Sequence, residues 1–240
     1  MNKQYPESVS QLLRYGDCRN MKEWPDYLKL GITRKHIPDL IEILTDEGLH
    51  ESPSDALELW GPVHAWRALG QLRAEKAIEP ILSLLHKIDD ENDEWVAGEL
   101  PLILGMIGAE AIPFLAAYLE NGKNPLFAHV AAARALAVIG DLYKKNRDKC
   151  VSVLTKKLEA YEKNDTMLNG ILINFLTGLK ATESVHVVQK AFGKNCVDLQ
   201  IMGDFDDFKR ELGLKDIKIR RNSLCFCGSG KKYKKCCLNK

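Results

Sequence analysis

The stretch HAWRALGQLRAEKAIEPILSLL, residues 64–85, decides the fold, because two helical patterns follow each other there with only a short break between them. The theme recurs three times downstream, as ELPLILGMIGAEAIPFLAAYL (99–119), AAARALAVIGDLYKKNRDKCVSVLTKKL (131–158) and ILINFLTGLKATESVHVVQKAF (171–192). A small or polar residue occupies the matching position of each copy, at intervals of 35, 32 and 40 residues: Gly70, Gly105, Ala137 and Thr177. Recurrence at this length indicates a repeat architecture.

The second helix of each copy carries an apolar stripe at helical spacing, for example Ile78, Ile81, Leu82 and Leu85. A single helix cannot bury such a stripe, whereas stacked helix pairs bury it against their neighbours. The copies resemble HEAT-like repeats, most closely in WRALGQLRAEKAIEPIL and ARALAVIGD, and the resemblance covers just over half of the chain. We therefore predict an all-α fold, a HEAT-like α-solenoid, with an irregular helical bundle as the alternative.

The helical patterns before residue 60 lack the repeat theme, which is typical of an end cap that shields the first repeat. The stretch VDLQIMGDFDDFKRELGL after the last repeat indicates a closing turn and a short helix. The predicted boundaries are an N-terminal helical cap (1–62), HEAT-like repeats (63–195), a closing turn and helix (196–214), a basic linker (215–221) and a cysteine-rich tail (222–240).

Composition and charge restrict the class of protein. With 45% hydrophobic and 28% charged residues, the chain has an ordinary soluble composition. Its apolar stretches are interrupted before the roughly 20 residues of a membrane span, and its first residues lack a secretory signal, so we expect a cytoplasmic protein with no membrane span.

The net charge of +1 hides an asymmetry, because residues 215–240 hold nine Lys or Arg and one acid, which leaves 25 basic and 32 acidic residues in 1–214. The body and the tail should therefore attract different partners.

Four of the seven cysteines lie in the tail RRNSLCFCGSGKKYKKCCLNK, as a C-x-C pair and a C-C pair separated by eight residues. Two thiolate pairs joined by a short loop can wrap one tetrahedral ion, and zinc prefers thiolates where no redox chemistry is needed. We predict one structural zinc ion on Cys225, Cys227, Cys236 and Cys237, in a closed site without catalytic function. The alternative is a flexible basic tail with oxidation-prone cysteines, and the sequence does not distinguish zinc from iron.

The tail resembles the SEC-C motif, the zinc-binding tail of the translocase ATPase SecA and of other bacterial proteins, in its cysteine spacing and in the run GSGKKYKK. The resemblance implies docking to a SecB-like chaperone or to ribosomes, through a set of expected partner-binding residues: Arg221, Asn222, Lys231, Lys232, Tyr233 and Lys234. Leu224 and Phe226 stand where SecA-type motifs usually have prolines, and Cys237 replaces a frequent histidine. These departures leave metal binding intact but put the identity of the partner in doubt.

Other patterns give little support for catalysis. The six histidines are scattered, no phosphate-binding loop occurs, and the acidic run 89–94 reads as a solvated loop rather than a calcium site. His64 beside Trp66 is interpreted as a packed residue near a helix start. We expect a non-enzymatic zinc-binding adaptor whose groove and tail dock protein partners. The alternatives are a nucleic-acid or ribosomal-RNA binder acting through the basic tail and, more weakly, a HEAT-like lyase-type enzyme.

Overall fold

The computed structural model describes residues 5–214, 221–222 and 231–236, and within them the chain forms helices and turns but no β-strand. The prediction of an all-α fold is confirmed. The α-helices are α1 Glu7–Ser10, α2 Ile37–Leu44, α3 Glu47–His50, α4 Gly61–Gln71, α5 Ile78–Leu84, α6 Lys87–Asp90, α7 Glu94–Ile107, α8 Ile112–Glu120, α9 Leu126–Leu142, α10 Arg147–Glu159, α11 Thr166–Gly178, α12 Val185–Gly193, α13 Leu199–Met202 and α14 Phe205–Glu211.

The four sequence copies correspond to four helix pairs, α4/α5, α7/α8, α9/α10 and α11/α12. A 3₁₀ turn precedes the second helix of every pair, at Glu75–Ala77, Ala109–Ala111, Lys144–Asn146 and Thr182–Ser184. The first helices pack in the order α4, α7, α9, α11, and the second helices pack in the order α5, α8, α10, α12. The pairs therefore stack in two layers, the order that a solenoid requires, and their HEAT-like classification stays an interpretation.

Glycines allow the first helices to approach each other closely. A Cβ added to Gly70 would lie 3.1 Å from Ile103 Cδ1 in the next first helix, and one added to Gly105 would lie 2.8 Å from Val138 Cβ. In the third pair Gly140 has this role, because its Cβ would lie 2.9 Å from Leu179 Cδ2. The close contact thus falls three residues after Ala137, the position that the sequence comparison matched.

The two ends of the stack are covered by neighbouring segments. Helix α2 packs against α4, and at the other end α13 and α14 pack against α11 and α12. One hydrophobic core runs through the whole body, from Val9 to Phe208. Helix α4 is covered on every side, since all residues from Gly61 to Gly70 are buried. The predicted domain boundaries stay predictions.

Side chains accept hydrogen bonds from the free backbone N–H groups at the helix N-termini, and some of these side chains come from a neighbouring pair. Asp89 lies before α7 in the chain, yet its carboxylate accepts hydrogen bonds from Phe127 N and Ala128 N at 2.9 Å each, at the start of α9. Asp93, in the same acidic run, caps α7 by accepting bonds from its first amides. The acidic run is therefore not simply a solvated loop, because two of its carboxylates hold helix N-termini.

The C-terminal ends of the first helices are held in the same way. Arg147 Nε donates to Leu179 O at 2.9 Å and Arg147 Nη2 donates to Lys180 O at 2.8 Å, beyond the end of α11. The Tyr143 hydroxyl donates to Met106 O at 2.8 Å near the end of α7. These bonds satisfy carbonyls that have no partner within their own helix.

Pro101 lies inside α7 and has no N–H to donate to the carbonyl of Ala97. Arg134 Nη1, from α9, donates to Ala97 O at 3.3 Å and satisfies that carbonyl instead. A contact between adjacent pairs thus compensates for the proline, and α7 continues to Ile107.

In the described part of the chain, no single helix has both the length and the apolar character needed to cross a membrane. The pair Glu94–Ile107 and Ala109–Glu120 meets that requirement only when taken together, and it is bent by 109°.

Candidate metal centre and partner-binding tail

The described tail residues bring two of the predicted partner-binding segments together. Lys234 N donates a hydrogen bond to Arg221 O at 2.9 Å, so the residues before and after the first cysteine pair are joined through the backbone. Tyr233–Lys235 forms a 3₁₀ turn that begins after extended Lys232. The bond places the backbone of Lys234 beside that of Arg221.

The side chains expected to contact a partner differ in exposure. Arg221 and Asn222 are exposed, and so are Lys231 and Lys232, whereas Tyr233 and Lys234 are half-buried. A basic, exposed surface on both sides of the backbone bond can attract an acidic partner. The role of these residues in binding stays a prediction.

Among the predicted zinc ligands, only Cys236 lies within the described residues. Its N–H donates to Tyr233 O at 3.1 Å, so it directly follows the 3₁₀ turn, and its side chain is partly exposed. Cys225, Cys227 and Cys237 lie outside the described residues, and the ranges that the structure does describe contain no group of three His, Cys, Asp or Glu able to hold a metal. The donor chemistry of four cysteines fits zinc, and nearby Lys232 and Lys235 can offset the net charge of a four-thiolate centre.

A second cluster of polar side chains is buried in the body, and sequence reasoning did not find it. His64 is 0% exposed. The Tyr27 hydroxyl lies 2.7 Å from His64 Nδ1, and His64 Nε2 lies 2.9 Å from Gly16 O. Cys18 Sγ packs 3.5 Å from Nε2. The interpretation of His64 as a packed residue agrees with its burial, but no sequence pattern indicated its partners, which lie 37 to 48 positions away.

The same cluster contains a buried ion pair between α4 and α7. Arg67 Nε donates to Glu99 Oε2 at 2.7 Å, and Arg67 Nη2 pairs with the other oxygen of Glu99. Trp66 Nε1 donates to Glu99 Oε2 at 2.9 Å, and the Arg67 guanidinium lies 4.9 Å from the centre of the Trp24 ring. Bidentate geometry and additional donors are what a buried ion pair needs to offset its desolvation.

The protonation states in this cluster argue against a nucleophile. Burial raises the pKa of the Cys18 thiol to about 12 and raises the pKa of the Tyr27 hydroxyl. Burial also lowers the pKa of His64. At neutral pH the thiol and phenol therefore keep their protons and the imidazole is uncharged, whereas an activated cysteine requires a lowered pKa. The cluster therefore holds no activated thiol at neutral pH.

The body also offers open grooves. One of about 320 Å³ lies between α8 and α10 and is lined by Ala116, Leu119 and Val153 together with the aliphatic part of Lys157. Lys157 Nζ donates to Leu119 O at 2.8 Å, so its ammonium group already binds a carbonyl at the end of α8. A wider groove of about 640 Å³ runs along the C-terminal ends of the first helices.

The fold and tail together define a class of protein, an all-α body of stacked helix pairs followed by a SEC-C tail. Residues 221–239 match the SEC-C motif, as predicted. Residues 20–219 match the family described as "Protein of unknown function (DUF1186)". Because this match covers most of the chain, the protein belongs to the DUF1186 family.

The curated relatives are translocase subunits that share a limited part of the chain. The protein translocase subunit SecA of Clostridium perfringens (strain SM101 / Type A) is 54% identical over 35 residues, which are 15% of this chain and 4% of the relative. SecA of Alkaliphilus oremlandii is 37% identical over 81 residues, 34% of this chain and 9% of the relative. The chain thus spans a small fraction of the length of these relatives, and no solved structure matches it.

Proposed function

We propose that the protein is a non-enzymatic, zinc-binding adaptor of the cytoplasm, in which the tail and the helical body each dock a protein partner. The observation that carries the proposal is the SEC-C match over residues 221–239, which includes all four cysteines of the expected zinc site. Four thiolates on one ion leave no open position for substrate, which supports a structural rather than a catalytic role.

The partner proposed for the tail is a SecB-like chaperone or a ribosome. The exposed side chains of Arg221, Lys231 and Lys232 support electrostatic docking to an acidic surface. The acidic body, with 32 acidic against 25 basic residues before residue 215, disfavours a mode in which the whole molecule wraps nucleic acid. The alternative is binding of ribosomal RNA by the basic tail alone, which the charge of that segment favours.

The zinc site is tested by metal analysis of the purified full chain beside the double variant Cys236→Ser, Cys237→Ser. We expect about one zinc per wild-type chain and its loss in the variant. The matched control is Cys150→Ser, a buried body cysteine, which should keep its zinc. Wild-type protein that is prepared without chelators and still takes up no added zinc would contradict the proposal.

The docking proposal is tested by co-sedimentation with purified ribosomes and by titration with a purified SecB-like chaperone. The variant Arg221→Ala, Lys232→Ala should weaken binding, while Lys144→Ala, Lys145→Ala, in an exposed turn of the body, should leave it unchanged. Binding to free ribosomal RNA that falls steeply with added salt, together with no binding to the chaperone, would favour the nucleic-acid alternative.

A further inference from the structure

Residues 15–28, here named the strap, lie across α4 without forming an α-helix of their own. Their only regular element is the 3₁₀ turn Cys18–Asn20. They cover a helix on which every residue from Gly61 to Gly70 is buried. A segment with so little internal hydrogen bonding depends on the side chains beneath it for its position.

Those side chains come from one face of α4, at i, i+3 and i+7: His64, Arg67 and Gln71. Gln71 Nε2 donates to Pro25 O at 2.8 Å, and Gln71 Oε1 accepts from Tyr27 N at 2.9 Å. Arg67 stacks on the ring of Trp24. His64 bonds to the strap at both of its ring nitrogens, through Gly16 O and the Tyr27 hydroxyl.

The two bonds of His64 indicate the tautomer of its neutral ring. Nε2 must carry the hydrogen because it faces a carbonyl, so Nδ1 is the acceptor for the Tyr27 hydroxyl. A proton on Nδ1 would remove that acceptor and place a positive charge near Arg67, in a position with no solvent exposure. Burial and the neighbouring positive charge therefore favour the neutral imidazole in the closed strap.

The other groups around the imidazole do not compensate for a charge. From the strap, Tyr15 meets its ring edge at 5.2 Å between centroids and Cys18 contributes a protonated thiol. From α7, Glu99 is the nearest acid, but Arg67 and Trp66 already occupy its oxygens. An imidazolium at this site would have no carboxylate of its own.

We propose that neutral His64 latches the strap onto α4, and that protonation of this imidazole releases the strap while the stacked helix pairs stay folded. Release changes a groove as well, because Trp24, Asp26 and Leu28 of the strap form one wall of the groove along the C-terminal ends of the first helices. Acidification would thus change the shape of this groove, and with it a surface on which a partner could bind.

The direction of the pH effect follows from linkage. Burial and the nearby Arg67 lower the pKa of His64 in the closed state below its ordinary value of 6.5, while the open state returns to that value. Stability of the closed strap is therefore complete above about pH 6.5 and is lost as the pH falls, by roughly tenfold in the closing equilibrium per pH unit between the two pKa values.

The experiment is hydrogen exchange with mass spectrometry on the full chain at about pH 7.5 and about pH 5, corrected for intrinsic exchange. Protection of peptides within 15–28 should fall on acidification, by up to about tenfold for each pH unit that lies between the two pKa values, with α9 and α11 unchanged. Strap protection that is equal at both pH values would overturn the proposal, and so would parallel loss across the whole body.

Two variants and one control separate the latch from general acid sensitivity. His64→Gln keeps a donor and an acceptor but does not titrate, so its strap should stay protected at the lower pH. His129→Gln changes another buried histidine, whose Nε2 lies near Asn121 O, and should leave the response of the strap intact.

If His64→Gln does not fold, the variant Tyr27→Phe replaces it. Tyr27→Phe should lower protection of the strap at neutral pH and weaken the pH dependence of that protection. Wild-type behaviour of Tyr27→Phe on both counts would contradict the latch.

Discussion

Arg67 and Glu99 form an ion pair that solvent scarcely reaches, with side chains 4% and 12% exposed. The pair joins the first helices of two successive repeats and accepts a further bond from Trp66. Removing one partner from such a pair leaves a buried charge without compensation, which is far more damaging than loss of an exposed pair.

We therefore expect Glu99→Gln to lower the free energy of unfolding by about 3 kcal/mol, since Arg67 stays charged and buried. The measurement is urea denaturation followed by circular dichroism. The control is Glu120→Gln, which breaks the exposed pair with Lys156 and should cost less than about 1 kcal/mol. Equal losses in the two variants would show that the burial of the first pair does not matter.

Burial also determines the reactivity of individual thiols. The pKa of Cys18 is raised to about 12 and that of Cys150 to about 11, in both cases by burial. The thiolate is the reacting form, so at mildly alkaline pH both should react with iodoacetamide much more slowly than Cys196, which is partly exposed. Peptide mass spectrometry of briefly alkylated native protein measures this, and the differences should disappear in urea. Rapid native labelling of Cys18 would contradict its buried position.

At the scale of a single element, α7 contains two glycines in opposite surroundings. A Cβ on Gly98 would meet nothing within 4 Å, whereas a Cβ on Gly105 would meet the side chain of Val138 in α9. The same substitution at the two positions therefore separates helix propensity from packing.

We expect Gly98→Ala to stabilise the protein by about 0.5–1 kcal/mol, because alanine loses less conformational entropy in a helix. Gly105→Ala should destabilise it by about 1–3 kcal/mol through overpacking. Thermal unfolding of both variants gives the comparison. A second change, Val138→Ala, should recover part of the loss at Gly105, and absence of any recovery would contradict the close helix contact.

The elements also show what the sequence could predict and what it could not. The recurring apolar stripes predicted the four helix pairs, because the pattern is local. Aligning the four sequence copies placed Ala137 at the position of Gly70 and Gly105, whereas in the third pair Gly140 makes the close helix contact. Helix α9 continues to Leu142, so Gly140 still lies within it. Similarity between the copies could not show which residue of one helix contacts the next helix.

Side-chain contacts between distant parts of the chain were beyond sequence reasoning for the same reason. Nothing in the acidic run indicated that Asp89 caps a helix 38 positions away, or that His64 reaches Gly16. The tail is the opposite case, since a metal motif is read from spacing within a few residues. Its family match was therefore predictable, although three of its four expected ligands lie outside the described residues.

At the scale of the whole molecule, one continuous core from Val9 to Phe208 joins all the pairs. All four tryptophans lie between Trp24 and Trp95, so intrinsic fluorescence reports on the N-terminal part while circular dichroism reports on every helix. The continuous core predicts a single cooperative transition.

We expect urea unfolding curves from tryptophan fluorescence and from circular dichroism to coincide at pH 7.5 or so. Repeat proteins with weak interfaces instead unfold in stages, and a fluorescence transition that precedes the circular dichroism transition would show that the N-terminal part melts first. Repeating the measurement with Arg134→Ala, which leaves Ala97 O beside Pro101 without its donor, tests whether one weakened interface is enough to separate the two curves.

The bonds that cross from one pair to the next also limit how such a protein can evolve. Duplicating or deleting an entire pair usually lengthens or shortens a repeat protein at little cost, because neighbouring units are interchangeable. Here Asp89 serves the start of α9, and Arg147 serves the end of α11. Deleting the segment that holds α9 and α10 would remove the N–H groups that the Asp89 carboxylate binds. It would also remove the Arg147 guanidinium that binds Leu179 O and Lys180 O. These polar contacts make the third pair specific to its place, so removing it should cost more stability than the loss of its apolar contacts alone.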